Sequence, residues 1–182
     1  AAPGPTLLVA PTSVLGNWQR EVQRFAPQLS THLHHGPARE QDPAAFAAQA
    51  GQVALVITSY ALARKDAALL SSLDWHRVVL DEAQNIKNPK AAQTKAVYKL
   101  PAPRRLALTG TPVENRLGDL WSLFEFLQPG YLGTRARFRK TFELPVQRDK
   151  DPVQTHTLKQ LVQPFILRRV KTDKAIISDL PD

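Results

Sequence analysis

Cysteine and methionine are both absent from this chain of 182 residues. The absence of cysteine excludes disulfide bonds, thiolate zinc sites and a cysteine nucleophile, and it is typical of a protein from a reducing, intracellular compartment. Without methionine the sequence also lacks an initiator residue, so we expect the chain to be part of a longer protein. No apolar run approaches the roughly 20 residues of a transmembrane helix, and we therefore expect no membrane among its partners.

Two enzyme motifs are missing as well. The sequence contains no Gly-x-x-x-x-Gly-Lys-Ser/Thr loop, the usual cradle for nucleotide phosphates. It contains no Gly-x-Ser-x-Gly nucleophile elbow either, which argues against an unrelated α/β hydrolase fold. If the chain takes part in nucleotide chemistry, it does so without its own phosphate cradle.

Acidic residues are the scarcer charge, with 16 Asp and Glu against 24 Lys and Arg and a net charge of +8. This excess favours a polyanionic partner, most simply nucleic acid, although a solvated surface in an arginine-rich proteome explains it equally well. Basic residues form two clusters, over 135–140 and 168–174. We expect a location in the cytoplasm, the nucleoid or the nucleus.

Short apolar runs alternate with amphipathic stretches, the pattern of βα units around a mainly parallel sheet. The predicted strands are 7–10, 31–34, 53–58, 77–80 and 105–108, and the predicted helices are 15–25, 43–50, 61–70, 91–99 and 117–127. Beyond Gly130 the alternation fades into helical pieces, which we expect Pro145 and Pro152 to break, and 165–167 is either a strand or a core helix. The sequence thus predicts an α/β lobe over 1–130 and a mostly helical, basic extension over 131–182.

An acidic pair, Asp81-Glu82, follows the apolar run 78–80. A carboxylate just past a buried strand can hold Mg²⁺ through water, because Mg²⁺ prefers hard oxygen ligands and keeps much of its hydration. We assign that role to Asp81, and Glu82 is placed to orient and deprotonate the water that attacks a γ-phosphate. Taken alone, the pair is more often a solvated turn at a strand end.

A second motif, Thr109-Gly110-Thr111-Pro112, follows the predicted strand 105–108. Its two hydroxyls and flexible glycine lie on the neighbouring loop, where the hydroxyls can bond to Gln84 or Asp81. A simpler interpretation, compatible with the first, is a strand-to-helix turn in which Thr111 caps a helix that begins at Pro112. Because both motifs follow apolar strands, together they indicate an NTP-driven motor.

Five segments in order resemble the signatures of Swi/Snf-type DNA translocases, and the match extends over nearly the whole chain. The segments are 7–21, 56–60, 80–88, 108–115 and 165–171. The resemblance implies a RecA-like first lobe of the P-loop NTPase type, incomplete at its N-terminus, from a helicase-like ATPase of superfamily two. Such a motor tracks along duplex DNA without separating its strands. ATP and Mg²⁺ are then the cofactors of the parent protein, and double-stranded DNA and a second RecA-like lobe are the partners.

The same resemblance implies roles for single residues. Asp81 and Glu82 become the Mg²⁺-binding and water-activating acids. The residues that couple hydrolysis to lobe movement are Gln84, Thr109, Gly110 and Thr111. Contacts to the DNA backbone are expected from Pro11, Thr12, Ser13, Thr58 and Ser59. Small hydroxyls and exposed N–H groups at a helix N-terminus bind phosphate without reading sequence, so we expect sequence-independent binding.

Three further basic residues, Arg168, Arg169 and Lys171, resemble the stretch that leads toward the second lobe. Whether they contact DNA, the other lobe or solvent is left open by the sequence. The family's phosphate loop and arginine fingers have no counterpart in this chain, so we expect the isolated chain neither to bind ATP tightly nor to hydrolyse it. A superfamily-two helicase acting on RNA or single strands, and a degenerate nucleic-acid-binding lobe without enzymatic activity, stay as alternatives.

Several aromatic and histidine residues receive structural interpretations. Neither a carboxylate nor a cysteine lies near His32, His34 and His35 in the sequence, so we interpret them as ordinary surface residues. The three tryptophans, Trp18, Trp75 and Trp121, lie on apolar patterns that are typical of core residues. Ser13 is placed to cap the helix that begins near Leu15.

Overall fold

A computed structural model describes residues 4–110 and 116–167. Its central feature is a five-stranded sheet in the order β2-β3-β1-β4-β5, and all four strand pairs are parallel. The strands are β1 Thr6–Ala10, β2 Thr31–Leu33, β3 Leu55–Ser59, β4 Arg77–Leu80 and β5 Arg105–Ala107. The predicted α/β class and the parallel sheet are confirmed.

Helices connect the strands and continue after the last of them. They are α1 Leu15–Phe25, α2 Pro43–Gly51, α3 Tyr60–Lys65, α4 Ala67–Ser71, α5 Ala92–Tyr98, α6 Leu117–Leu127, α7 Arg135–Phe138, α8 Leu144–Gln147 and α9 Pro152–Val162. Short 3₁₀ turns cover Thr12–Val14, Ala83–Ile86 and Gln163–Phe165, and a π turn covers Arg139–Glu143. No helix in 4–110 or 116–167 is long and apolar enough to span a membrane.

The central strand β1 is buried on both faces, as expected for the middle of a parallel sheet covered by helices. Leu7 and Val9 point into the larger core cluster, which also contains Trp75. Leu8 and Ala10 point to the other face, where they pack with Leu15 of α1. This two-sided burial makes the strand ends a rigid edge on which a site can be built.

Contacts within the chain group it into two compact units, Ala1–Arg135 and Ala136–Asp182. The first unit contains the sheet. In the second unit Leu158 and Val162 of α9 are buried, and the rings of Phe138 and Phe142 lie 5.6 Å apart.

Three sequence-based expectations about local structure are wrong. Pro145 does not break the helical course, since the π turn Arg139–Glu143 leads directly into α8 and the backbone at Glu143 and Leu144 keeps helical angles. Ser13 does not cap α1, because the 3₁₀ turn Thr12–Val14 comes first and makes Val14 the N-cap. Residues 165–167 are neither a strand nor a core helix, and Leu167 is 79% exposed.

A fourth difference concerns the single helix predicted over 61–70. The structure divides it into α3 and α4 at Asp66, whose backbone leaves the helical region. The Asp66 carboxylate bonds to His34 and Arg39, which lie far away in the sequence. A tertiary contact therefore interrupts a helix that local periodicity alone favours.

Candidate functional site

The ends of four neighbouring strands form one row at the carboxyl edge of the sheet. Strand register pairs Ala10 with Ser59, and Val9 with Leu80. Asp81 therefore lies beside the end of β1, and its amide donates to the Val9 carbonyl at 2.9 Å. On the other side β5 pairs with β4, so the loop after β5 reaches the same edge. All the motifs singled out within 4–110 thus meet where α/β sheets place their ligands.

Asp81 is half-buried and held at three atoms. Its Oδ2 accepts a hydrogen bond from the indole Nε1 of Trp18 at 2.8 Å, and its Oδ1 accepts from the Glu82 amide at 2.9 Å. Its main-chain carbonyl accepts from the Tyr60 hydroxyl at 2.7 Å. Each carboxylate oxygen therefore keeps acceptor capacity beyond the one bond that orients it.

These donors test whether the residues fit Mg²⁺. The ion is bound in proteins by one or two carboxylates together with waters and substrate phosphates. Asp81 meets that requirement, since its oxygens are hard, oriented and not saturated. No group of three or more potential ligands of the His, Cys, Asp and Glu types occurs in the described part of the chain.

Glu82 has an unusual backbone conformation. Its φ is +47° and its ψ is 55°, in the left-handed region that residues other than glycine seldom occupy. The next residue, Ala83, is fully buried and its amide donates to the Leu108 carbonyl at 2.8 Å. The chain therefore turns sharply at Glu82 because the residue after it is anchored on the loop that follows β5.

A chain of side-chain hydrogen bonds joins the two motifs. Gln84 Nε2 donates to Glu82 Oε2 at 2.6 Å, and Thr109 Oγ1 donates to Gln84 Oε1 at 2.9 Å. The predicted contact between the Thr109 hydroxyl and Gln84 is present. Gly110 is exposed and its Cβ position is open, while Thr111 lies outside the described residues.

The acidic turn is also fixed from the side of α6. The Ser122 hydroxyl donates to the carbonyl of Ile86, the last residue of the 3₁₀ turn. The Tyr98 hydroxyl in turn donates to the Ser122 carbonyl at 2.9 Å. Both Ile86 and Ser122 are fully buried, so the turn behind Glu82 is part of the core rather than a free loop.

The residues predicted to contact DNA fall into two groups. Pro11 precedes the first 3₁₀ turn, and Thr12 and Ser13 on that turn are exposed. Thr58 and Ser59 are buried and use their hydroxyls within the fold: Thr58 Oγ1 donates to the His34 carbonyl at 3.0 Å, and Ser59 Oγ accepts from the Leu62 amide at 3.2 Å. The first group presents its hydroxyls at the surface and the second does not.

The basic residues Arg168, Arg169 and Lys171 lie outside the described residues. Their predicted contacts stay predictions.

The interpretation of His34 as a surface residue is wrong. His34 is fully buried, and its Nε2 lies 2.9 Å from Asp66 Oδ2. Arg39 completes the cluster with two hydrogen bonds to Asp66, at 2.6 and 2.8 Å. Burial lowers the pKa of His34, and the hydrogen bond from Arg39 lowers the pKa of Asp66. Sequence proximity could not reveal this cluster, because the carboxylate comes from 32 positions later.

Trp18 and Tyr60 are site residues that sequence reasoning did not find. Trp75 and Trp121 are buried as predicted, but Trp18 is only half-buried and its indole N–H reaches Asp81. Tyr60 is buried beside the acids, and burial, with the negative charges of Asp81 and Glu82, raises its pKa strongly. The only sequence signal was the position of each residue just after a turn assigned to DNA.

The family description of the SNF2-related domain matches residues 1–182, the full length of this chain. The chain belongs to the SNF2-related family. It is 49% identical over 178 residues to YwqA of Bacillus subtilis, an ATP-dependent helicase/translocase by its name, with 98% of this chain and 19% of YwqA covered. It is 38% identical over 188 residues to the TATA-binding protein-associated factor mot1 of Schizosaccharomyces pombe, with 97% and 9% covered.

Solved structures of the SNF2 type confirm the fold. The SWI2/SNF2 ATPase core of Sulfolobus solfataricus, solved in complex with double-stranded DNA, matches with a TM-score of 0.85 and 41% identity over 98% of this chain and 36% of that one. A second structure of the Sulfolobus SWI2/SNF2 ATPase core domain matches with a TM-score of 0.81. The predicted RecA-like lobe and the Swi/Snf resemblance are both confirmed. This chain is a stretch of a Swi/Snf-type helicase-like ATPase domain, and it spans about a fifth of the length of YwqA.

Proposed function

We propose that this chain supplies the acidic and coupling residues of a DNA-dependent ATPase that translocates on duplex DNA. The observation that carries the proposal is the hydrogen-bonded arrangement of Asp81, Glu82, Gln84 and Thr109 at the carboxyl edge of a parallel sheet. Two further facts support it. The similar Sulfolobus core was solved with double-stranded DNA, and this chain has a net charge of +8, which favours a polyanionic partner.

In this proposal Asp81 holds Mg²⁺ through water ligands, and the ion supplies charge neutralisation at the transferred phosphate. Trp18 and the Glu82 amide keep the Asp81 carboxylate in one orientation. Glu82 orients a water and accepts its proton at a carboxylate oxygen. Because the backbone turns sharply between the two acids, they act on different targets.

Gln84 and Thr109 form the coupling element, together with Gly110 and Thr111. Gln84 touches Glu82 with one end of its amide and Thr109 with the other, so a movement of either loop changes the surroundings of the acid. An amide can bridge in this way because it has both donors and an acceptor. We propose that the position of the Thr109 loop reports the state of the nucleotide to the rest of the lobe.

The DNA-facing surface begins at Pro11. Thr12 and Ser13, exposed on the 3₁₀ turn, offer hydroxyls to backbone phosphates, a contact that carries no sequence information. Thr58 and Ser59 act beneath that surface, where their hydroxyls hold the ends of β2 and α3 in place. Arg168, Arg169 and Lys171 complete the proposal as a basic stretch toward the second lobe.

ATP itself does not fit this chain alone, because the sequence has no phosphate-binding loop. We propose that the parent protein supplies this loop and the arginine fingers outside the chain. An arginine finger contributes about 10³ to 10⁵ in rate, so the isolated chain is expected to be inactive. The motor activity belongs to the parent, which acts in the cytoplasm, nucleoid or nucleus.

The test is ATP turnover by the parent protein with and without duplex DNA, beside Glu82→Gln. Loss of a general base lowers rate by about 10² to 10⁴, so we expect DNA-stimulated hydrolysis to collapse while ATP still binds. Glu40→Gln is the matched control, since Glu40 accepts amide hydrogen bonds on a loop away from the acids and its amide oxygen can still do so.

Three outcomes would count against the proposal. No hydrolysis in the parent would indicate a degenerate binding lobe. Hydrolysis at the same rate with and without duplex DNA would support the ATPase activity but exclude duplex DNA as its partner. Separation of strands by the parent would favour a helicase on RNA or single strands, because the family predicts translocation without unwinding.

A further inference from the structure

Two aromatic side chains hold Asp81 from opposite ends of the residue. Trp18 donates to the carboxylate at Oδ2, and Tyr60 donates to the main-chain carbonyl, at 2.8 and 2.7 Å. Both distances are typical of well-formed hydrogen bonds. The orientation of the Asp81 carboxylate therefore depends on where α1 places Trp18, and the position of the Asp81 main chain depends on where α3 places Tyr60.

Each aromatic residue lies shortly after one of two chain turns, which lead from β1 into α1 and from β3 into α3. Trp18 lies in the first turn of α1, four residues after the 3₁₀ turn Thr12–Val14. Tyr60 is the first residue of α3 and follows Ser59. Because Ala10 and Ser59 are register partners on adjacent strands, the two turns leave the sheet side by side.

In both hydrogen bonds the aromatic side chain is the donor and Asp81 is the acceptor. An indole N–H can only donate, and the Tyr60 hydroxyl gives its single proton to the Asp81 carbonyl. Each group has one proton to donate, so it can donate to a competing acceptor only by weakening or breaking its bond to Asp81. Hydrogen bonds weaken steeply when their angle departs from linearity, so a small shift of either turn changes the alignment of Asp81.

We propose that Trp18 and Tyr60 are positioning residues that transmit duplex contact at the exposed turn Thr12–Val14 to Asp81, Trp18 through the carboxylate and Tyr60, beneath that surface, through the main chain. When duplex DNA binds at this edge of the sheet, it fixes the positions of α1 and α3. The two donors then align Asp81 for the hydrated Mg²⁺, and ATP turnover rises. This inference rests on the proposed function, and it adds how DNA regulates the acidic site. Neither residue touches the reacting atoms.

The test uses the parent protein with Trp18→Phe and Tyr60→Phe, which keep the rings and remove only the donors. The measurements are turnover with and without duplex DNA, duplex affinity, and the Mg²⁺ concentration for half-maximal turnover. Loss of a partner that orients a metal-binding carboxylate costs about 10- to 100-fold in metal affinity or activity. We expect the stimulated rate to fall about tenfold and the Mg²⁺ midpoint to rise about tenfold, with duplex affinity unchanged within about twofold.

Trp75→Phe is the matched control, because it removes the same indole donor from a bond to the Leu70 carbonyl rather than to Asp81. The ratio of stimulated to unstimulated turnover decides the inference. It should fall in both site variants and stay at the wild-type value in the control. Equal loss of the two rates in Trp18→Phe and Tyr60→Phe, or the same drop in the control, overturns the inference.

Different results contradict the proposed function and the role proposed for Trp18 and Tyr60. A wild-type parent that duplex DNA does not stimulate contradicts the proposed function itself. A stimulated parent whose turnover collapses in Glu82→Gln, but whose ratio is unchanged in Trp18→Phe and Tyr60→Phe, contradicts only the inference. Thermal unfolding of each variant shows whether it is folded, and if Trp18→Phe unfolds, Tyr60→Phe decides alone.

Discussion

The Thr109 hydroxyl donates to Gln84 Oε1 at 2.9 Å, although 25 positions separate the two residues in the sequence. Gln84 donates in turn to Glu82, so the loop after β5 is connected to the acidic turn through one amide. This bond makes the relationship between the two motifs testable.

Thr109→Val should uncouple the two loops. The variant keeps the size of the side chain and removes the donor, which contributes about 0.5 to 1.5 kcal/mol. In the parent protein we expect DNA-stimulated turnover to fall by up to about tenfold while ATP binding is retained. Thr155→Val is the control, since the Thr155 hydroxyl donates to the carbonyl of Asp151, the N-cap residue of α9. Equal rates in the two variants would contradict a coupling role for Thr109.

A comparison of Glu82→Gly with Glu82→Ala should separate the backbone strain at residue 82 from the catalytic role of its carboxylate. Both variants remove the carboxylate, so both should abolish hydrolysis by the parent. Only glycine adopts a φ of +47° without strain, and a left-handed residue other than glycine costs about 1 to 3 kcal/mol. Urea denaturation of this chain should therefore find the glycine variant more stable than the alanine variant by about 1 kcal/mol. Equal stability would mean that the turn is not strained.

Acid should destabilise this chain in two separate windows. Burial lowers the pKa of His34 from its ordinary value of 6.5, so the unfolded chain binds this proton first and stability falls as the pH drops below about 6.5. The buried Nδ1 of His34 has no hydrogen-bond partner, so a proton added there would be unpaired. Arg39 lowers the pKa of Asp66 from 3.8, so its stabilising contribution is present above that value and is lost below it.

The measurement is the free energy of unfolding from urea denaturation between pH 7.5 and 5, in wild type and His34→Gln. The positive charge of Arg39 also lowers the pKa of His34, whereas Asp66 raises it. We expect the wild-type curve to slope downward toward acid and the variant curve to be flatter. Parallel curves would show that another group titrates in this window.

Ser13→Asp should weaken duplex binding by this chain. An added carboxylate on the exposed turn repels a phosphate, whereas Thr157→Asp adds the same charge on an exposed part of α9. Wild-type binding should be weak, independent of sequence and steeply dependent on salt, with a log–log slope of about 0.9 for each phosphate neutralised. Fluorescence anisotropy with labelled duplexes measures both quantities. Salt-insensitive binding, or equal loss in the two variants, would contradict DNA contact at Ser13.

Local sequence patterns predicted most of the fold correctly. The strands, α2, α5 and α6 follow from hydrophobic periodicity, with ends displaced by one or two residues. Periodicity predicted elements well here because each one buries a regular apolar face. It was wrong at Asp66 and His34, where a buried hydrogen-bonded cluster with Arg39 joins distant segments and accompanies the break in the helix and the burial of His34.

The candidate site was predictable only in part. Asp81, Glu82, Gln84 and Thr109 could be named because they end strands whose carboxyl ends meet at one edge of a parallel sheet. Trp18 could not be recognised, since an aromatic residue on an amphipathic helix is typical of a core position. The direction of its indole N–H follows from how α1 packs on the sheet, which a linear pattern does not encode.

The sequence by itself determined the family, the parallel α/β architecture and the identity of the acidic and hydroxyl motifs, because these depend on residue types at short spacing along one chain. The tertiary structure alone decided which atoms hold Asp81, the left-handed turn at Glu82 and the burial of Thr58 and His34. The physical reason is that strand register and helix packing bring together groups that lie 21 to 63 positions apart, and hydrogen bonds act only over about 3 Å.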